Sequence, residues 1–97
     1  MENNIYLCAL YDCYNKLLTD KQRIYFEDYY FNNLSLSEMS ENYNVSRNAV
    51  HKQLKDAVIK LEELEEKLKI NEKYNKLLQI DGLNDRIKEE IERIIGG

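Results

Sequence analysis

The chain has 97 residues and a formal net charge of −4, so it is long enough for one small hydrophobic core but not for two domains. It has no proline and only three glycines, and no stretch alternates as a strand does, so we predict an all-α protein. No apolar run approaches the length of a membrane span, and the first residues lack the pattern of a secretory signal. We therefore expect a cytoplasmic protein without membrane insertion.

The first third of the chain predicts two helices. Residues 5–18 carry a broad apolar stripe, and Thr19 and Gln22 form a T-x-x-Q capping box that opens a second helix over about 20–31. The aromatic residues of this second helix recur at helical spacing, so we interpret them as core rather than as a platform for stacked bases. Cys8 and Cys13 lie about 140° apart around the first helix, which favours reduced thiols over a disulfide or a shared metal.

Residues 35–56 have the sequence form of a helix-turn-helix. Ser35 and Glu38 form an S-x-x-E capping box for a first short helix, and its inward face carries Leu36, Met39 and Tyr43. Asn44 suits the left-handed turn that follows. Ser46 then caps a second helix, whose inward residues are Val45, Val50 and Leu54.

The outward face of that second helix is where positive charge collects. Residues 1–45 carry −4, residues 46–60 carry +3 and residues 61–97 carry −3. Phosphate contacts require this kind of local excess, so the segment is the candidate recognition helix of a nucleic-acid-binding protein. The predicted contact residues are Ser46, Arg47, Asn48, His51, Lys52 and Lys55.

The recognition helix does not end with the motif. Apolar residues continue at spacings of 4, 3, 4, 3 and 4, as in a heptad seam, at Val50, Leu54, Ala57, Leu61, Leu64 and Leu68. We therefore predict a helix from Ser46 to about Ile70, with Glu62, Glu63, Glu65 and Glu66 on a solvated charged face. The seam could pack on the first helix of the chain, on a later helix or on a second copy.

Two shorter helices are predicted beyond it. One starts at Asn71-Glu72 and ends near Asp81-Gly82, and the last spans about 84–95 with a stripe of isoleucines. This stripe could dock on a partner subunit, complete the core or fray. We treat residues 1–97 as one domain, in which a helical core at 5–56 is followed by an extension at 57–97. The candidate oligomerisation residues are Leu61, Leu64, Leu68, Ile87, Ile91 and Ile94.

No catalytic or cofactor-binding pattern is present in the sequence. His51 is the only histidine, and no serine, cysteine or carboxylate is spaced to form a triad with it. Cysteine and histidine lack zinc-site spacing, and neither of the glycine-rich nucleotide-binding motifs occurs. We expect neither an enzyme nor a bound cofactor.

Three blocks together resemble the YlxM family of small bacterial helix-turn-helix proteins. They are LLTDKQR at 17–23, DYYFNNLSLSEMSENYNVSRNAVHKQL at 28–54 and EELEEKLKINEKY at 62–74. The resemblance implies an all-α dimer related to the fourth region of sigma factors and a regulatory role in the signal recognition particle pathway. The competing interpretation is a protein-interaction module that binds a component of that particle or of RNA polymerase without touching nucleic acid.

Overall fold

The computed structural model describes the backbone of residues 4–80 and 84–96, and the side chains of 4–80 and 84–94. These residues form an all-α protein with no strand among them, which confirms the predicted fold class. Over the same residues, no helix combines the length and apolar character needed to cross a membrane. The helices are α1 (Asn4–Tyr14), α2 (Asp20–Phe26), α3 (Leu36–Tyr43), α4 (Arg47–Leu68), α5 (Ile70–Leu78) and α6 (Asp85–Gly96).

The first two helices are shorter than predicted because each changes its winding near its end. Asn15 donates from its side chain to the carbonyl of Tyr11 at 2.9 Å, and the chain tightens there into a 3-10 turn over Asn15–Leu17. The predicted capping box at Thr19 and Gln22 is confirmed. Beyond Phe26 the chain widens into a π-helical segment, Glu27–Phe31, and only then leaves the helix.

Two apolar clusters form the core, and α4 runs through both. The first lies between α1, α2 and the middle of α4, with Leu10, Tyr14 and Phe26 at its centre. The second joins α2 and α3 to the start of α4 through Tyr25, Met39, Val50 and Leu54. The aromatic residues of the second predicted helix are therefore mainly core, as the sequence indicated.

The heptad seam of α4 packs on the chain's own helices. Val50, Leu54, Ala57 and Leu61 are fully buried, and Leu64 is half-buried against the same core. Burying a leucine of this kind contributes about 1.5–3 kcal/mol. Leu61 therefore has no surface left for a second copy, whereas Leu68 remains 42% exposed.

The glutamates near the end of α4 are exposed, as predicted, except for one. Glu62, Glu63 and Glu66 are exposed, but Glu65 is buried and points towards α1 and α5. A single left-handed residue, Lys69, separates α4 from α5. The predicted end of the fifth helix at Asp81-Gly82 lies outside the described residues, and α5 ends at Leu78.

Candidate nucleic-acid interface

The first helix of the motif begins with a reciprocal cap. The Glu38 amide donates to Ser35 Oγ at 3.0 Å, and the Ser35 amide donates to Glu38 Oε1 at 3.0 Å. Two amides that α3 cannot satisfy internally are thereby paired, which fixes where the helix starts. The predicted capping box is confirmed.

The turn between α3 and α4 depends on one left-handed residue. Asn44 has φ 54° and ψ 48°, a conformation that asparagine adopts more readily than most residues. The amide of Val45 donates to the carbonyl of Ser40 at 3.1 Å, which closes the helix end in a Schellman arrangement. Val45 then packs against the second core cluster, so the turn is held by a hydrogen bond and by apolar contact.

The start of α4 is set by Ser46, whose Oγ accepts from the Ala49 amide at 3.0 Å. Val50 and Leu54 then enter the core, each with no exposed surface. This rotation of the helix leaves Arg47, Asn48, His51, Lys52 and Lys55 exposed on the opposite side, as the sequence predicted.

Four of the six candidate contact residues meet at one place. A shallow depression of about 550 Å³ lies between the first turns of α3 and α4, lined by Leu36, Ser46, Arg47, Asn48 and His51. Unpaired amides and the positive end of the helix dipole both favour an anion at such a helix start. Lys52 and Lys55 lie further along α4, so they extend this surface rather than line the depression.

The three basic residues of this surface are not equivalent. Lys52 Nζ lies 3.0 Å from Asp56 Oδ2 on the next turn of α4, and both groups are well exposed. Arg47 and Lys55 have no ion-pair partner in the part of the chain that the structure describes. A phosphate therefore competes with Asp56 for Lys52, although exposed pairs of this kind contribute only about 0–1 kcal/mol.

A tyrosine of the motif is held by residues outside the motif. Tyr43, the last residue of α3, donates its hydroxyl proton to Asp28, and its ring stacks on Tyr25 with centroids 4.9 Å apart. The hydrogen bond to Asp28, with partial burial, raises the pKa of Tyr43 to about 12. Tyr43 and Asp28 are 15 residues apart, so periodicity and local motifs carry no signal for this contact.

The candidate oligomerisation residues separate into two groups. Leu61 is buried in the core, and Leu64 and Ile91 are half-buried. Exposed apolar surface remains on Leu68 at the end of α4 and on Ile87 and Ile94 of α6, of which Ile94 is 72% exposed.

The described residues contain no group of side chains that could hold a metal ion. Both cysteines are free and half-buried. Burial, with nearby carboxylates, raises the pKa of the Cys8 and Cys13 thiols, which keeps them protonated and weakly nucleophilic at neutral pH.

Comparison with known proteins matches the chain to one family. The family described as "Putative helix-turn-helix protein, YlxM / p13 like" matches residues 1–94. A UPF0122 protein of Malacoplasma penetrans is 44% identical over 95 residues, covering 91% of this chain and 89% of the relative. UPF0122 proteins of Bacillus cereus and Bacillus anthracis are each 36% identical over 102 residues, covering 98% of this chain and 93% of the relative. The chain belongs to the UPF0122 family of YlxM/p13-like helix-turn-helix proteins.

Proposed function

We propose that this protein is a non-enzymatic regulator that binds nucleic acid through the first three turns of α4. One observation carries the proposal. The helix start presents Ser46, Arg47, Asn48 and His51 around a single depression, on the side opposite the buried Val50. A helix-turn-helix uses this part of its second helix to reach the major groove.

The contacts divide by chemistry. The Arg47 guanidinium and the amides of the first turn are suited to a phosphate, because they combine charge with several donors in one place. Asn48 and His51 lie one turn apart on the exposed side of α4, and an asparagine can make a bidentate contact to adenine. Lys55 is placed to hold a further phosphate. Phosphate contacts would position the protein, and the two polar side chains would read the base edges.

The charge balance limits how tightly one copy binds. Residues 46–60 carry +3 between two acidic segments, so long-range attraction to nucleic acid is weak. Two copies joined as a dimer would add their contacts. The exposed isoleucines of α6, with Leu68, are the surface we assign to that dimer.

Binding can be tested with a charge-matched pair of variants. In the first, Arg47, Lys52 and Lys55 become alanine. In the control, Lys16, Lys67 and Lys73, which are exposed outside the motif, become alanine. We expect fluorescence anisotropy with duplex DNA and duplex RNA at low salt to show binding lost only in the first variant. Variants with only one of the three substitutions should still bind, each with a salt slope lower by about one unit.

A first variant that binds as the parent does would overturn the proposal. The competing function predicts a different pattern, in which the parent binds neither nucleic acid at low salt but retains a protein partner with little salt dependence. We place the regulation in the signal recognition particle pathway on the strength of the family resemblance. Recovery of particle RNA or of its GTPase components with the tagged protein would support this placement.

A further inference from the structure

The bend between α4 and α5 takes place at one residue. α4 ends at Leu68 and α5 begins at Ile70, and Lys69 between them has φ 57° and ψ 29°. A lysine in the left-handed region is unfavourable relative to its ordinary conformations, so the backbone does not select this bend by itself. Other contacts must hold it.

Those contacts converge on a buried carboxylate. Glu65 is only 8% exposed, and its carboxylate accepts three hydrogen bonds. The donors are the Tyr14 hydroxyl of α1 at 2.6 Å and the amides of Asn71 and Glu72 in α5, each at 3.1 Å. The carboxylate thus sits at the positive start of α5, where a negative charge is stabilised.

Tyr14 of α1 holds a further amide at the start of α5. Its hydroxyl oxygen accepts from the Ile70 amide at 3.1 Å while its proton goes to Glu65. Three consecutive amides of α5 are therefore held by one side chain of α4 and one of α1. Burial and the bond to Glu65 raise the pKa of Tyr14 to about 12, so the hydroxyl remains a donor at neutral pH.

Apolar side chains of α5 and α6 pack on the rest of the chain only in part. Among the described side chains of these two helices, no apolar one is fully buried, and Ile70, Tyr74, Leu78 and Ile91 are half-buried. The hydrogen bonds at the start of α5 tie its first amides to α1 and α4, and such bonds are more directional than apolar contacts.

We infer that Glu65 is a positioning residue that fixes the direction in which α5 and α6 leave α4. In the dimer this direction sets the separation between the two recognition helices. The second statement rests on the proposed function, because it requires that α6 carries the dimer contact. The first statement concerns the single chain and can be tested without nucleic acid.

The direction of α6 can be measured by pulsed electron paramagnetic resonance. Nitroxide labels are placed at Ser37→Cys on α3 and Glu89→Cys on α6, both exposed, with Cys8 and Cys13 replaced by alanine. Dilution with unlabelled protein isolates the distance within one chain. We expect one narrow peak for the parent and for Glu66→Ala, which removes the same charge from the neighbouring exposed position. Glu65→Ala should lose that peak.

Tyr14→Phe is the second variant, because it removes the hydroxyl contacts and keeps the ring in the core. Tyr14→Phe should also lose the single narrow distance peak. If Glu65→Ala does not fold, this variant alone tests the inference. A peak as narrow and at the same distance as in the parent, in whichever of these variants folds, would overturn the inference.

The link to recognition-helix separation has its own readout. A DNA duplex of about 12 base pairs accommodates one recognition helix. A duplex of about 30 base pairs accommodates the two recognition helices of a dimer, about one or two helical turns apart. The parent should bind the longer duplex on the order of a hundredfold more tightly, and Glu65→Ala should lose most of this gain. A variant that loses the distance peak but keeps the gain would refute the link. A parent that binds neither duplex would refute the proposed function while leaving the distance result to decide the role of Glu65.

Discussion

The Tyr43 hydroxyl donates to the Asp28 carboxylate and so joins the end of α3 to the π-helical segment after α2. Tyr43 directly precedes Asn44, the left-handed residue of the turn. The contact therefore ties the residue next to the turn to the segment that follows α2. It links the fold of the first two helices to the angle at which the recognition helix is presented.

We expect Tyr43→Phe to lower the free energy of unfolding by about 1 kcal/mol, because it removes one hydrogen bond and keeps the stacked ring. The tyrosine pKa is raised in the folded state, to about 12 against an ordinary value of 10.0. The bond thus stabilises the fold fully below pH 10, and this contribution is lost as the pH rises towards 12. Urea unfolding at pH 7 and pH 11 should show the difference between parent and variant shrinking at the higher pH. A difference that grows with pH would contradict this assignment.

Two buried tyrosines should respond in opposite ways to loss of their hydroxyls. The Tyr14 hydroxyl makes two hydrogen bonds, whereas the buried Tyr30 hydroxyl has no partner among the described residues. A buried unsatisfied polar group costs about 1–3 kcal/mol. We expect Tyr30→Phe to leave stability unchanged or raise it, and Tyr14→Phe to lower it by about 1–3 kcal/mol. Chemical denaturation of both variants at pH 7 gives the comparison, and equal losses would show that Tyr30 has an acceptor.

The turn offers a test of backbone conformation that leaves packing unchanged. Asn44 is exposed with φ 54°, so its side chain contributes little to the core. Asn44→Gly should be close to neutral, while Asn44→Ala should cost about 1 kcal/mol more, since alanine disfavours the left-handed region. Thermal unfolding of the two variants measures the difference. If alanine were as stable as glycine, the turn would have to adopt another conformation in solution.

The sequence predicts the motif well because its determinants are local. The caps at Ser35 and Ser46 and the turn at Asn44 each depend on residues within five positions, and all three are confirmed. The inward face of α4 also follows from spacing alone, since Val50 and Leu54 are buried where the period places them. Local chemistry therefore identifies which face of α4 is exposed.

The long-range contacts that position α5 do not follow from local patterns. Glu65 accepts a hydrogen bond from Tyr14, which is 51 residues away in the sequence. Nothing in the local sequence distinguishes this buried glutamate from the exposed glutamates beside it. The ion pair between Lys52 and Asp56, in contrast, can be predicted from the sequence, because the two residues are four apart on one helix. The net charge of residues 46–60 does not reveal this pair, because the two charges cancel in the sum.

The last prediction concerns the surface assigned to self-association. Ile87 and Ile94 of α6 are 42% and 72% exposed, while Leu61 of the same predicted set is buried in the core. We expect Ile87→Glu with Ile94→Glu to convert a dimer to a monomer, because each would place a charge in an apolar contact. The matched control is Ile24→Glu on α2, which is 50% exposed and lies outside the assigned surface. Sedimentation equilibrium at tens of micromolar measures the mass. At this concentration a dimer with a dissociation constant of about 1 μM is mostly assembled. A monomeric parent would refute self-association. A dimer that survives both α6 substitutions and removal of residues 83–97 would move the contact to the exposed face of α4.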